Sequence, residues 1–332
     1  YRIKKKVFGR RFTNAGRCCG YHQHYAMPRG MYDRKRGQVR YVVKSKLKKT
    51  LIDSYNVLNA IDPIITVFLQ SSPFAEGRHL AKDSRLLLYR GGKKLGYMEG
   101  LYARRQFFGG LSPYKQTLSD LMGTLERKHR RWIELMAKHG FKGSAYAKST
   151  NILHFSWNAV KVSPKGTLEY RGADMNFTEN ILGATTLVKF LLRKIQQDFM
   201  FVVPADMEMK EAFKQEGNLL FIPPHSVVRK ELQKRSAYQG LADKELYRYV
   251  KRFMRFMGPN VYKEYRFLLR PLKRMVDSKR TVSDQILKKA RKDGYGKGPI
   301  PERYARELAL FYAERFRKDI PMLKEKLENI VF

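Results

Sequence analysis

Acidic residues are scarce: 30 Asp and Glu stand against 68 Lys and Arg, a formal charge of +38 over 332 residues. A surplus of that size argues against a cationic partner and favours counterions, an acidic surface or a polyanionic substrate. The shortage is local. Residues 1–50 hold sixteen Lys and Arg and a single acid, Asp33, and residues 229–297 hold twenty-one basic and seven acidic side chains. Cysteine is almost absent, and the two that exist, Cys18 and Cys19, are neighbours that rarely meet disulfide geometry. This excludes a disulfide scaffold and matches a reducing compartment, so the cytoplasm is the expected location. No apolar run approaches the ~18 residues of a membrane span, because "VLNAIDPIITVFLQ" is broken by Asp62 and Pro63. A signal-peptide pattern is missing too, and no membrane association is expected. Neither a GxxxxGK[ST] loop nor a GxGxxG following a strand is present, which removes the two common glycine-rich nucleotide cradles. The first residue is Tyr1 rather than Met, as expected of a polypeptide that begins upstream.

What is there suffices for a large core, since 43% of the residues are hydrophobic. "RCCGYHQHYAM" at 17–27 alternates as a strand, which sends His22 and His24 to one face and Tyr21, Gln23 and Tyr25 to the other. A basic helix or two is expected at about 40–60. From Gln116 to Gly140, Leu118, Leu121, Met122, Leu125, Trp132 and Met136 repeat at helical spacing. Two runs with strand alternation follow, "NILHFSWNAVKV" and "GTLEYRGA", joined by Ser163-Pro164-Lys165-Gly166, a good turn. The expectation is a β-hairpin whose polar wall carries His154, Ser156 and Asn158 on one strand and Thr167, Glu169 and Arg171 on the other. The remainder reads as helices, one of them stopping before Pro321. Strands and helices mix without regular alternation, so the fold class is α+β, with a core over 1–204 and a helical, basic region over 205–332.

A strand face bearing Glu, Arg, His and Asn cannot rest on an apolar core without partners, so it faces water or a site. The plain alternative is an exposed cross-strand ion pair worth about 0.2–1 kcal/mol. A second feature is the stripe of Arg248, Lys251, Arg252 and Arg255 at helical spacing, opposite Leu246, Tyr249, Val250 and Phe253. It suits a phosphate backbone or simply a solvated face. No helix-turn-helix, zinc-finger or RNA-recognition motif accompanies it.

In chain order, "CGYHQHYAMP", "SSPFAEGRHLAKDSRLLLYR" and "GTLEYRGADMN" resemble the glutamate-cysteine ligases and related carboxylate-amine ligases, over roughly residues 15–200. The resemblance implies a glutamine-synthetase-like fold, mainly an antiparallel sheet lined on one face by the active site. It implies ATP and Mg2+ as cofactors, with an amino-acid carboxylate and an amine joined through an acyl phosphate. Carried onto this chain, Glu169 and His22 would be metal ligands and Arg171 would steady the transferred phosphoryl group. His22, His24, Ser71, Ser72, Arg78, Arg85 and Asn158 would contact substrate or nucleotide. Family members open with a strand of closely spaced glutamates, whereas residues 1–16 here contain no acid. The alternative expectation is a degenerate ligase scaffold that binds nucleic acid or another polyanion through residues 1–50 and 229–297.

Overall fold

The computed structural model describes residues 2–142, 151–296 and 298–331. They form a mixed α+β fold with small sheets among many helices. Two short helices, α1 (Arg2–Phe8) and α2 (Arg10–Ala15), lead into strand β1 (Gly20–Ala26). The expected alternation holds there: Gln23 and Tyr25 are buried while His22 and His24 are exposed. Helices α3 (Ser45–Ala60) and α4 (Asp62–Leu69) follow, then α5 (Ser84–Tyr89) and the long α6 (Leu118–Lys138). Pro63 sits in the first turn of α4, where its missing N–H costs nothing, and all eight residues of that helix are buried. Helix α6 is amphipathic as its spacing predicts, and Thr117 caps it by accepting from Asp120 N at 3.1 Å.

The hairpin is real but shorter than expected. Strand β2 (Val160–Ser163) pairs antiparallel with β3 (Thr167–Asp174), and the turn closes through Gly166 N to Ser163 O at 3.0 Å. Residues 151–158 are not strand. Asn151 Oδ1 accepts from Leu153 N at 2.9 Å and starts a 3-10 turn over Ile152–Phe155. Leu153 and Phe155 are buried from that turn, so their i, i+2 spacing imitates a strand. His154, Ser156 and Asn158 therefore do not form the expected wall. True alternation begins at Val160, which puts Val160 and Val162 inward and Lys161 opposite Glu169.

Strand β1 joins the other edge of β3, antiparallel, with His24 opposite Glu169 and Gln23 opposite Tyr170, giving the order β1-β3-β2. A bulge between Tyr21 and Gln23 shifts the register toward the end of the ladder. The inner face of this sheet, with Leu168 and Tyr170 fully buried, packs on α4, and Gln23 of β1 donates to Thr185 Oγ1 of α7 (Thr178–Gln196) at 2.9 Å. A second sheet pairs β4 (Phe201–Pro204) parallel with β5 (Leu219–Ile222), and residues 215–216 complete it.

The chain ends in α8 (Lys244–Asn260), α9 (Arg270–Ser278), α10 (Val282–Lys292) and α11 (Glu302–Val331). Helix α11 runs through Pro321 instead of stopping before it. Arg317, whose carbonyl loses its helical donor to Pro321, is solvent-exposed, which is where such a loss costs a helix least. One hydrophobic core reaches from Tyr25 to Leu308 and is shared by residues 1–204 and 205–332. Ile300 N donates to Gly77 O at 2.7 Å, tying the entry to α11 onto the 74–79 hairpin. A second cluster docks α1 through Val7 and Phe8 onto Tyr102, Phe108 and Trp132. Among the described residues no helix is long and apolar enough to cross a membrane.

Candidate functional site

The outer face of the β1-β3-β2 sheet collects the charges. Glu169 and Arg171, two apart on β3, point to the same side, with Arg171 Nη1 at 3.8 Å from Glu169 Oε1. His22 of β1 brings Nδ1 to 3.3 Å from the same oxygen, and Lys161 of β2 places Nζ 4.0 Å from Glu169 Oε2. His24, directly across from Glu169, shares a 2.8 Å hydrogen bond between Nδ1 and Thr167 Oγ1. Burial alone would raise the Glu169 carboxyl. Contact with His22 and the charges of Arg171, Lys161 and His24 outweigh it and hold the group at about 2.

Beside this face opens a cleft of about 310 Å³, whose lining includes Lys4, His22, Arg85, Arg90, Arg171, Tyr89, Tyr102 and Trp157. No described residue lining it is acidic. Lys4 reaches it from α1 and lies over the Trp157 ring, 4.3 Å from the centroid. Burial, then Arg171, then Lys161 draw the Lys4 ammonium down to about 8. Lys161 is also held at about 8, because burial and Arg171 outweigh the favourable pull of Glu169. Tyr102 and Trp157 stack with centroids 6.2 Å apart and form the aromatic end.

Arg85 is 5% exposed and forms part of the cleft wall. Its Nη1 donates to Gly172 O at 3.1 Å, its Nη2 to Arg171 O at 3.4 Å, and its guanidinium covers Tyr89. A Cβ on Gly20 would lie 2.1 Å from Arg85 Nη2, so a larger residue there would push the guanidinium off the carbonyls it holds. Arg90 is committed elsewhere: Nη1 and Nη2 grip Asp62 at 2.5 and 2.8 Å.

Of the residues expected at the site, the fold brings together Glu169, Arg171, His22, His24 and Arg85. Ser71 and Ser72 instead tie down Asp174, through Ser71 N at 3.0 Å and Ser72 Oγ at 2.6 Å, and so anchor the end of β3. Asn158 is buried away from the cleft, donating to Gly110 O at 2.5 Å and accepting from Lys128. Arg78 lies on the 74–79 hairpin beside a different pocket, with His79 and Arg291. Lys161 and Lys4 join the site unforeseen. Lys161 would follow from cross-strand parity once β2 starts at Val160. Lys4 has no local signal, because only the docking of α1 delivers it.

Magnesium requires several oxygen ligands in near-octahedral array. Among the described residues no group of three or more His, Cys, Asp and Glu is placed to hold a metal ion. Glu169 is a lone carboxylate ringed by Arg171, Lys161 and His22. These residues do not by themselves fit magnesium. The arrangement is built to receive negative charge: fixed cations on three sides, one acid that orients them, and an aromatic wall. No protein-family model matches the chain, and a comparison with curated proteins finds no match.

Proposed function

We propose that the chain is an ATP-dependent carboxylate-amine ligase, similar to the glutamate-cysteine ligases, acting in the cytoplasm on an amino-acid carboxylate and an amine. The observation that carries this reading is the pairing of Glu169 and Arg171 on one face of β3, opposite His22 and beside a cleft lined by cations. The antiparallel β1-β3-β2 sheet with its charges gathered on one face is what supports a glutamine-synthetase-like architecture.

The reaction moves the γ-phosphoryl group of ATP to a carboxylate oxygen, giving ADP and an acyl phosphate. The amine nitrogen then attacks the acyl carbon, the C–O bond to phosphate breaks, the nitrogen loses a proton, and amide and phosphate leave. Negative charge accumulates on the transferring oxygens, so a guanidinium fixed in advance lowers the barrier. Arg171 fills that role here. Glu169, ionised at any physiological pH, holds Arg171 and His22 toward the cleft. Arg85 braces the strand from behind through the carbonyls of Arg171 and Gly172.

The test is ADP release by the full chain supplied with ATP, Mg2+ and a panel of amino acids and amines. Release should need acid and amine together, and Glu169→Gln and Arg171→Ala should each lower kcat by about 100-fold or more. Release that ignores either substrate, or persists at the wild-type rate in both variants, rejects the ligase reading. A second reading, polyanion binding, is favoured by α8, where Arg248, Lys251 and Arg255 are exposed along one side while Leu246, Tyr249, Val250 and Phe253 are buried.

A further inference from the structure

Three cations gather at the cleft from three separate elements: Lys4 from α1 and Arg171 from β3 line it, and Lys161 of β2 stands behind them, beside Glu169 and outside the lining. Among the described residues none of their side-chain nitrogens hydrogen-bonds a protein acceptor; their nearest groups are the Trp157 ring for Lys4 and Glu169, at 4.0 and 3.8 Å, for the other two. Those separations are ion pairs too long to be hydrogen bonds. Lys161 is only 6% exposed, and a charge so deeply buried is costly without a close partner. One carboxylate cannot neutralise three cations. The unspent donors approach from different directions, which suits an oxyanion with several oxygens better than a planar carboxylate gripped from one side.

A divalent cation would reach the single acid, Glu169, against Arg171 and Lys161 at 3.8 and 4.0 Å from it. We propose that the cleft binds a phosphate-class oxyanion directly through Lys4 and Arg171, with the charge of Lys161 behind them, and without a divalent metal ion. The ammoniums and the guanidinium then supply the charge that a metal would otherwise bring. This rests on the ligase reading only for the use to which the phosphate is put.

The experiment is titration calorimetry on the full chain at low salt, with inorganic phosphate and with ATP, each in EDTA and in Mg2+. The expected result is binding in EDTA at least as tight as in Mg2+, weakened tenfold or more by Lys4→Met and by Lys161→Met. Lys161→Arg should keep binding, and Arg303→Ala, exposed on α11 and not part of the cleft lining, should leave it unchanged. Thermal unfolding of each variant separates lost binding from lost folding. Phosphate and ATP both binding in EDTA supports a site for the free group. ATP alone binding supports a site for the phosphates of a nucleotide. Binding that disappears in EDTA, or survives unchanged in a folded Lys4→Met, Lys161→Met double variant, overturns the proposal. Metal-free binding without substrate-dependent ADP release would sink the ligase reading and leave this one standing. ADP release with binding lost in EDTA would do the reverse.

Discussion

On the inner side of β3, Tyr170 Oη donates to Asp62 Oδ1 at 3.0 Å, Arg90 grips both oxygens of that carboxylate, and Gln233 adds a further donor at 3.2 Å. On the outer side, Glu169 meets His22, Arg171 and Lys161 only at 3.3 to 4.0 Å. The inner cluster is closed: its donors and acceptors are matched, and it is buried, with Arg90 alone reaching the cleft wall. The outer cluster has more positive charge than negative, looser distances and a cleft beside it. One strand thus separates an ion pair that holds the fold from a group of ions waiting for a guest, and contact distance, more than residue type, tells them apart.

Removing one member from each side should break the symmetry of cost. Asp62→Asn strands the buried Arg90 and should destabilise by about 3–5 kcal/mol. Glu169→Gln should cost only about 1–2 kcal/mol while lowering kcat by about 100-fold or more. Urea unfolding of both variants measures this, and equal costs would erase the distinction between a closed and an open cluster.

Lys128 sharpens the comparison by solving burial without an acid. Its ammonium donates to Asn158 and to Ser156 Oγ at 3.3 Å. Burial, then Lys115 and Lys161, lower it to about 7. The unfolded chain keeps the ordinary value near 10.5, so between these limits it binds the extra proton, and stability rises with pH. Wild type should gain about 2 kcal/mol relative to Lys128→Met between pH 7 and 9. Parallel unfolding curves for the two proteins across that range would show that Lys128 is charged when folded.

The smallest effects belong to the α8 stripe. Replacing Arg248, Lys251 and Arg255 by Ala should shift stability by no more than about 0.5 kcal/mol and leave ADP release untouched. With a DNA duplex as probe, the slope of log affinity against log salt should fall by up to about 3. An unchanged slope would mean that the stripe is merely solvated.

Some of this was legible in the residues alone. Strict alternation in "GYHQHYA" placed His22 and His24 correctly, since one face of β1 meets the core and the other does not. Glu169 and Arg171 share a face for the same reason. The run from Asn151 misled because Leu153, Phe155 and Trp157 keep a period of two while the backbone turns, and only the cap by Asn151 distinguishes the cases. Ser71 and Ser72 sit where a substrate loop was expected, yet their hydroxyls serve Met175 O and Asp174. That pairing depends on the distant end of β3. Lys4 lay beyond sequence reasoning altogether, because Phe8, edge-on to Tyr102 and stacked on Trp132, determines where α1 lands.

The bond from Ile300 to Gly77 carries a temporal consequence. Ser283 reaches back in the same way, to Gln70 O at 3.3 Å and Lys82 O at 2.6 Å. While the polypeptide is being made, the stretch around Gln70 and Gly77 must wait for these late residues, on the order of ten to forty seconds at ribosomal speeds. Throughout that interval a half-finished chain exposes apolar helices and an uncovered basic surface together, so its passage to the native state leans on whatever shields nascent polypeptides from each other and from RNA.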